Sequence, residues 1–134
     1  MNLSSLSLVT DKIVIKSAQD VYNTVILPTT EQECFIVLLL NTKNVLLEQY
    51  IAHIGTLNSC PIHPREVFKE AIRNNAAAII LVHNHPSGDP TPSPEDYHVT
   101  EKMKEAGTLL QINVLDHVII GDKTYFSFQE NRGV

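Results

Sequence analysis

The stretch AAAIILVHNHPSGDPTPSPED, residues 76–96, decides the fold. Its first seven residues are apolar without interruption, which is typical of a buried strand. A loop rich in proline and glycine follows. Ser93-Pro94-Glu95-Asp96 then has the pattern of a helix start, with Ser93 as N-cap and Pro94 at the first helical position. The polar residues therefore lie where a strand ends and a helix begins, a common place for a site in an α/β domain.

Two histidines in this stretch, His83 and His85, are separated by one residue. Residues i and i+2 of an extended chain point the same way, so both imidazoles can face one point that Asp96 also reaches. Three such ligands, at about 2.0–2.2 Å and with a fourth position open, form the pattern of a catalytic zinc site. In a simpler interpretation, Ser93 and Asp96 form only a capping box and the histidines are loop residues. The combination of all four at one junction favours the metal site.

The spacing His83-x-His85-x7-Ser93-x2-Asp96 matches the JAMM (MPN+) metallopeptidase signature at every defined position. The text around it, together with residues 64–69 and 115–121, resembles the RadC family in particular, from about Val21 to the C-terminus. This resemblance implies a three-layer α-β-α fold with a mixed sheet, similar to the cytidine deaminase fold. It also implies that His83, His85 and Asp96 bind Zn²⁺.

The resemblance further implies a catalytic base and an oxyanion donor. JAMM enzymes use a glutamate at the start of an upstream strand, and Glu33 matches it best, with Glu31 as the second candidate. Ser93 would donate a hydrogen bond to the oxyanion, an effect worth roughly 10²–10³ in rate. The expected reaction is zinc-assisted hydrolysis of an amide, with Glu33 transferring the proton. Without the resemblance, an acidic residue before a strand is usually just a solvated one.

Weaker expectations concern other polar residues. Asp116 and His117, on a later strand, are candidate hydrogen-bond partners of the metal ligands. Asp89 is interpreted as turn chemistry. Arg65 and Lys69 belong either to a solvated helix face or to a substrate contact, and the sequence leaves both open.

Competing functions are a nucleobase deaminase and a non-catalytic module. A zinc deaminase requires His-x-Glu and Pro-Cys-x-x-Cys, whereas position 84 is Asn and neither cysteine lies in such a motif. The letters HNH at 83–85 do not indicate an HNH nuclease, whose residues are spread over a ββα unit. The alternative that stays open is a metal-binding or adaptor module associated with DNA repair or mobile elements. Many RadC-like chains add an N-terminal helix-hairpin-helix region, so this chain is expected to be a short member or a fragment.

Bulk properties limit the remaining possibilities. The 134 residues suffice for one domain, and the net charge of −5 argues against tight non-specific phosphate binding. No apolar run reaches the roughly 18 residues of a membrane span, and the N-terminus lacks a charged signal-peptide region. Cys34 and Cys60 form no disulfide framework. We therefore expect a cytoplasmic protein that acts on a peptide or amide, without membrane or strong nucleic-acid binding.

The predicted elements alternate in the manner of an α/β domain. Residues 1–16 are an N-terminal tail with a short strand, and residues 17–134 are the RadC-like JAMM domain. In order, the elements are a short strand over 11–16, a helix from Ser17 to about Ile26, strands over 34–40 and 45–55 that form a hairpin, a helix from Pro64, a strand over 76–82, a helix from Pro94 to about Ala106 with Gly107 as C-cap, strands over 110–120 and 124–128, and a tail from Asn131.

Overall fold

The fold is given by a computed structural model that describes residues 12–28, 31–57 and 61–132. Its elements are helix α1 (Ala18–Thr24), strands β1 (Cys34–Leu40) and β2 (Leu46–Ile54), helix α2 (Pro64–Arg73), strand β3 (Ala78–Asn84), helix α3 (Pro94–Leu110), strands β4 (Asn113–Ile120) and β5 (Tyr125–Ser127), and helix α4 (Phe128–Arg132). Most of the predicted N-terminal tail lies outside the described residues. Within 12–16, Val14 forms a single bridge to Val45.

The sheet is built around β1, whose residues are all buried. In the part of the chain that is described, five strands lie in the order β2-β1-β3-β4-β5. β1 is antiparallel to β2 and β3, β3 is parallel to β4, and β5 is antiparallel to β4. An unbroken apolar run such as β1 needs cover on both faces. The predicted mixed sheet and the predicted hairpin of the first two strands are both confirmed.

Neighbouring side chains of β1 enter two separate apolar layers, as strand alternation requires. Phe35 lies in one cluster with Phe68 of α2 and Met103 of α3. The next residue, Ile36, lies in the other cluster with Val21 of α1. Helices therefore cover both faces of the sheet, and the predicted three-layer α/β architecture is confirmed.

Helix α3 ends later than predicted. The prediction that Gly107 caps it is wrong, because the helix continues to Leu110 and Gln111 takes the left-handed cap conformation at φ 60°. Gly107 instead meets a tight contact. A Cβ added there would lie 2.5 Å from the carbonyl oxygen of Ile112, where the chain turns back into β4. The glycine is needed for packing, and not for the end of the helix.

Other boundaries also move by one to three residues, among them the starts of β3 at Ala78 and of β4 at Asn113. Ser17 is the N-cap of α1, as predicted, but that helix ends at Thr24. β3 extends to Asn84, so His83 belongs to the strand. The predicted C-terminal tail begins inside helix α4.

Among the described residues, no helix combines the length and the apolar character needed to cross a membrane.

Candidate metal centre

Four titratable side chains from different elements converge at one end of the sheet. His83 ends β3, His85 follows it, Asp96 is in the first turn of α3, and Glu33 directly precedes β1. The Nε2 atoms of His83 and His85 are 3.1 Å apart. Asp96 places Oδ1 3.1 Å from His83 Nε2 and Oδ2 3.2 Å from His85 Nε2. Glu33, His83 and His85 each offer one donor atom, and these three atoms lie within 4.8 Å of one another.

The spacing of these donor atoms fits one small cation. Ligands about 2.0–2.1 Å from a tetrahedral zinc are about 3.3 Å apart, close to the distances between His83, His85 and Asp96. Two imidazoles and a carboxylate are also a donor set that zinc accepts. The same distances also suit hydrogen bonds from protonated imidazoles to a carboxylate. Measurement of bound metal distinguishes a metal site from a hydrogen-bonded cluster.

Asp96 is held in place by the start of its own helix. Ser93 Oγ accepts from the Asp96 N–H at 3.2 Å, and the Ser93 N–H donates to Asp96 Oδ2 at 2.8 Å, which completes a capping box. Although burial alone would raise it, hydrogen bonds from His83 and His85 hold the pKa of this carboxyl well below its usual range. The predicted cap and a carboxylate aimed at the histidines are thus the same arrangement. Asp96 can therefore cap the helix and serve as a metal ligand at the same time.

The loop after β3 fixes the ring of His85. Its Nδ1 lies 2.9 Å from the carbonyl oxygen of Asp89, which can only accept a hydrogen bond, so Nδ1 carries a proton. In the neutral ring Nε2 is then the atom with the lone pair, and it faces His83 and Asp96. The hydrogen bond with Asp96 raises the pKa of His85. Asp89 accepts from Thr91 through Oδ1, consistent with its predicted role in the turn.

A second loop supports the first from behind. The Asp122 N–H, in the turn between β4 and β5, donates to the carbonyl oxygen of Gly88 at 2.8 Å. A Cβ at Gly121 would lie 2.4 Å from that same oxygen, so only glycine permits this approach. Gly88 itself has a positive φ of 91°, which favours glycine. The loop that carries His85 is therefore braced by two glycines facing each other.

The backbone on either side of Glu33 is held by Asn84, a residue whose role the sequence interpretation missed. Asn84 Oδ1 accepts from the Cys34 N–H at 2.7 Å, and its Nδ2 donates to the Gln32 carbonyl at 3.2 Å. From the β2 side, the Gly55 N–H donates to the Glu33 carbonyl at 2.8 Å. Because strand side chains alternate, the residue between two histidines points to the other face, and this was the signal for finding it.

A pocket of about 370 Å³ opens beside these residues. Glu33, His85, Ser93 and Asp96 line it, and Leu57 adds an apolar wall. Three of the four clustered side chains, Glu33, His85 and Asp96, therefore form part of the wall of this pocket.

A larger groove of about 760 Å³ lies elsewhere, along α2 and against Leu110. Arg65 and Lys69 line that groove. Neither belongs to the lining of the pocket at the histidines. This arrangement favours the helix-face interpretation of these two side chains over contact with a substrate terminus.

The two candidate partners on β4 differ from each other. His117 Nε2 lies 2.9 Å from His83 Nδ1, so it contacts the cluster directly. Asp116 points to the other face, where it accepts from the hydroxyl of Ser127 and the N–H of Gln129. The expectation that Asp116 supports the metal ligands is therefore wrong, because strand alternation turns it away.

Comparison with known families gives the same framework. The model of the RadC-like JAB domain matches residues 15–134, nearly the whole chain. The chain belongs to the RadC family. The residue pattern that indicated this resemblance in the sequence and the mixed three-layer sheet both agree with that membership.

Several curated members of the RadC family are close in sequence. The chain is 51% identical over 122 residues to a UPF0758 protein of Halalkalibacterium halodurans, covering 90% of this chain and 53% of that relative. It is 54% identical over 122 residues to one from Staphylococcus haemolyticus, with 90% and 54% coverage. It is 50% identical over 122 residues to the UPF0758 protein YsxA of Bacillus subtilis, with 90% and 53% coverage. The chain thus spans about half the length of these relatives, and their names state no activity.

Proposed function

We propose that this RadC-family chain is a zinc-dependent hydrolase of amide bonds, of the metallopeptidase or isopeptidase type. The observation that carries the proposal is the convergence of His83, His85 and Asp96, with donor atoms 3.1–3.2 Å apart, beside a pocket that His85, Asp96 and Glu33 line. A buried imidazole, a second imidazole and a buried carboxylate directed at one point are expensive to desolvate unless something pairs with them. A divalent cation meets that need.

The proposed ligands are His83, His85 and Asp96. Their elements hold them before any metal arrives: β3 holds His83, the braced loop His85, and the capping box Asp96. When bound, zinc would lower the pKa of a coordinated water towards 7 and polarise the substrate carbonyl. Such prearrangement limits the ordering that binding requires.

Glu33 is proposed as the general base. Its carboxylate is half-buried, lines the pocket and lies next to the two imidazoles. In this position it can accept a proton from the attacking water and return it to the leaving amine. Asn84 and Gly55 hold the backbone around it, which supports a fixed carboxylate. Of the two sequence candidates, Glu33 is the one whose carboxylate joins the cluster, whereas Glu31 is exposed.

Ser93 is proposed to donate to the oxygen of the attacked carbonyl. Its Oγ accepts from the Asp96 N–H, and an accepting hydroxyl keeps its own hydrogen for a substrate. The residue lines the pocket beside Asp96. A donor at this position would stabilise negative charge as it develops on the carbonyl oxygen.

The proposed partner is a peptide or another amide, and the proposed location is the cytoplasm. The volume of the pocket, about 370 Å³, lies within the range of ligand sites, and Leu57 offers an apolar contact. Cys34 is a buried free thiol, which agrees with a reducing compartment. The acidic net charge of −5 supports a substrate other than a nucleic acid.

The test is zinc stoichiometry and affinity of the purified chain, compared among wild type, Asp96→Asn, Glu33→Gln and the control Asp122→Asn. We expect one zinc per wild-type chain, a loss of at least about 100-fold in affinity in Asp96→Asn, and near-normal binding in Glu33→Gln and Asp122→Asn. Hydrolysis of a peptide library should then be lost in Glu33→Gln while zinc stays bound.

The possible outcomes separate the candidate roles. Loss of zinc in Glu33→Gln with retention in Asp96→Asn would assign the third ligand to Glu33 and remove the proposed base. No zinc in the wild type, even with excess metal, would exclude the hydrolase. Zinc bound without any activity would leave the non-catalytic metal-binding module as the better description.

A further inference from the structure

A buried chain of hydrogen bonds starts at Nδ1 of His83, the ring nitrogen that does not face His85 and the Asp96 carboxylate. His83 Nδ1 lies 2.9 Å from His117 Nε2, and His117 Nδ1 lies 2.5 Å from Thr100 Oγ1. Thr100 Oγ1 in turn lies 2.8 Å from the carbonyl oxygen of Asp96. The three side chains are 0–1% exposed, so water does not compete for these contacts.

The Asp96 carbonyl at the end of this series of hydrogen bonds determines which atom donates in each of them. The Asp96 carbonyl can only accept, so the Thr100 hydroxyl donates its single hydrogen there. Thr100 Oγ1 is then the acceptor for His117, whose Nδ1 carries the proton. A neutral His117 has one ring proton, so its Nε2 accepts from His83 Nδ1. In a neutral His83, Nε2 is then the atom with the lone pair, and it faces His85 and Asp96.

Ring packing prevents His117 from turning out of this arrangement. Phe128 stacks on it with centroids 4.8 Å apart and planes 8° apart. Phe35 meets the same ring edge-on at 5.7 Å. A rotated His117 would need both aromatic rings to move in a close-packed core. The ring can therefore serve as a fixed link between Thr100 and His83.

We propose that Thr100 and His117 are positioning residues that fix His83 as the tautomer with a proton on Nδ1 and a free Nε2, the form that binds a metal. This inference rests on the proposed metal site. Histidine ligands commonly donate their second ring N–H to a carbonyl or carboxylate. His85 follows that rule, because its Nδ1 donates to the Asp89 carbonyl. His83 instead donates to His117, which is itself a histidine with two tautomers. His117 can fix the tautomer of His83 only if Thr100 first fixes the tautomer of His117. The hydroxyl of Thr100 is thus the decisive group.

The test compares zinc affinity, measured by competition with a chromophoric chelator, in wild type, Thr100→Val and Thr100→Ser. Valine keeps the shape of the side chain but removes the hydroxyl, so His117 no longer prefers the proton on Nδ1. A His117 with its proton on Nε2 would donate to His83 Nδ1 and leave the ring proton of His83 on Nε2, the atom that has to bind the metal. We expect affinity to fall about 10- to 100-fold in Thr100→Val and to stay within about threefold in Thr100→Ser. Thr100→Ala replaces Thr100→Val if the latter does not fold.

Val99→Ala is the matched control for a merely structural effect. Val99 is a buried core residue next to Thr100, and its truncation lowers stability without touching the hydrogen-bond chain. Its zinc affinity should equal that of the wild type. A long-range ¹H–¹⁵N spectrum of the zinc-loaded wild type should also place the ring protons of His83 and His117 on Nδ1.

Each result decides the matter. Normal zinc affinity in Thr100→Val, an equal loss in Thr100→Ser or Val99→Ala, or a His117 proton on Nε2 would overturn this inference and leave the proposed hydrolase intact. A wild type that binds no zinc would remove the proposed function and this inference together. The full pattern of loss, rescue by serine and unaffected control would support it.

Discussion

At the scale of single residues, Asn84 shows how one amide side chain can serve the backbone of a distant segment. The antiparallel pairing of β1 with β3 ends at Phe35 and His83. Beyond that point the Asn84 side chain takes the place of a peptide group and binds the residues before and after Glu33. The end of a strand that would otherwise fray is therefore ordered, and the proposed base is carried on it.

Replacement of Asn84 by alanine should destabilise the chain by about 1–3 kcal/mol, because the partly buried Cys34 N–H loses its acceptor. Urea unfolding measures the loss, and amide exchange at Cys34 should accelerate. Asn74→Ala is the control, since the amide of Asn74 bonds to the Glu70 carbonyl at an exposed helix end. Its effect should stay within about 0.5 kcal/mol. Unchanged exchange at Cys34 in Asn84→Ala would contradict the role assigned to this side chain.

At the scale of elements, the end of α3 has two requirements that a single glycine often meets: a left-handed backbone that ends the helix, and space for a neighbouring segment. Here two different residues meet them. Gly107 provides space for the chain that turns back into β4, while Gln111 takes the left-handed conformation that closes the helix. Glycine is common at a left-handed cap and rare inside a helix. The sequence places it at the position where space is scarce, and a glutamine accepts the strained backbone.

Two substitutions at this helix end should change stability in opposite directions. Gly107→Ala places a Cβ against the Ile112 carbonyl and should cost about 1–3 kcal/mol despite its better helix propensity. Gln111→Gly relieves the left-handed backbone and should be neutral or stabilising by about 0.5 kcal/mol. Urea unfolding of both variants measures the difference. A stabilised Gly107→Ala would show that the backbone there adjusts freely.

Local patterns predicted those elements whose determinants are local. The unbroken apolar run of β1 and the Ser93-Pro94 start of α3 each contain their own signal, and both were found. Helix α4 is only five residues long, and its start depends in part on a distant residue, because the Asp116 carboxylate accepts the Gln129 N–H while Ser127 Oγ accepts the Glu130 N–H. The roles of Asn84 and Thr100 were missed for the same reason, since Asn84 bonds to Gln32 and Cys34 and Thr100 contacts His117, all distant in sequence. The resemblance to the JAMM pattern identified the residues that converge, but not the side chains that hold them.

At the scale of the whole molecule, the sheet collects groups from distant parts of the chain and buries several of them at an electrostatic cost. Asp116 is the clearest case. Burial raises the pKa of its carboxyl, although hydrogen bonds from Ser127, Gln129 and the His117 N–H oppose the rise. A carboxyl with a raised pKa holds its proton more tightly in the folded chain than in the unfolded one. Its ionisation therefore costs stability as the pH rises from about 4 through the folded pKa.

The stability of wild type relative to Asp116→Asn should accordingly fall as the pH rises through this window, and then become constant. Asparagine keeps the Oδ1 acceptor but has no charge to bury. Urea unfolding at several pH values between about 4 and 8 measures the difference. Asp89→Asn is the control: hydrogen bonds from Thr91 lower the pKa of Asp89, so its contribution to stability is lost only below about pH 4 and its difference from wild type should stay constant between about 4 and 8. A difference for Asp116→Asn that does not vary with pH would contradict the argument.

The contact between Gly88 and Gly121 bears on how this chain can change in length during evolution. The turn between β4 and β5 touches the loop that carries His85, so one added residue there would push a histidine out of alignment without altering any proposed ligand. The turn between β1 and β2 lies at the opposite end of β1 from Glu33, where it pairs with Val14 and Ile15 and not with the loop that carries His85. Insertions should therefore accumulate in the turn between β1 and β2 and be rare in the turn between β4 and β5, although both look like ordinary surface hairpins.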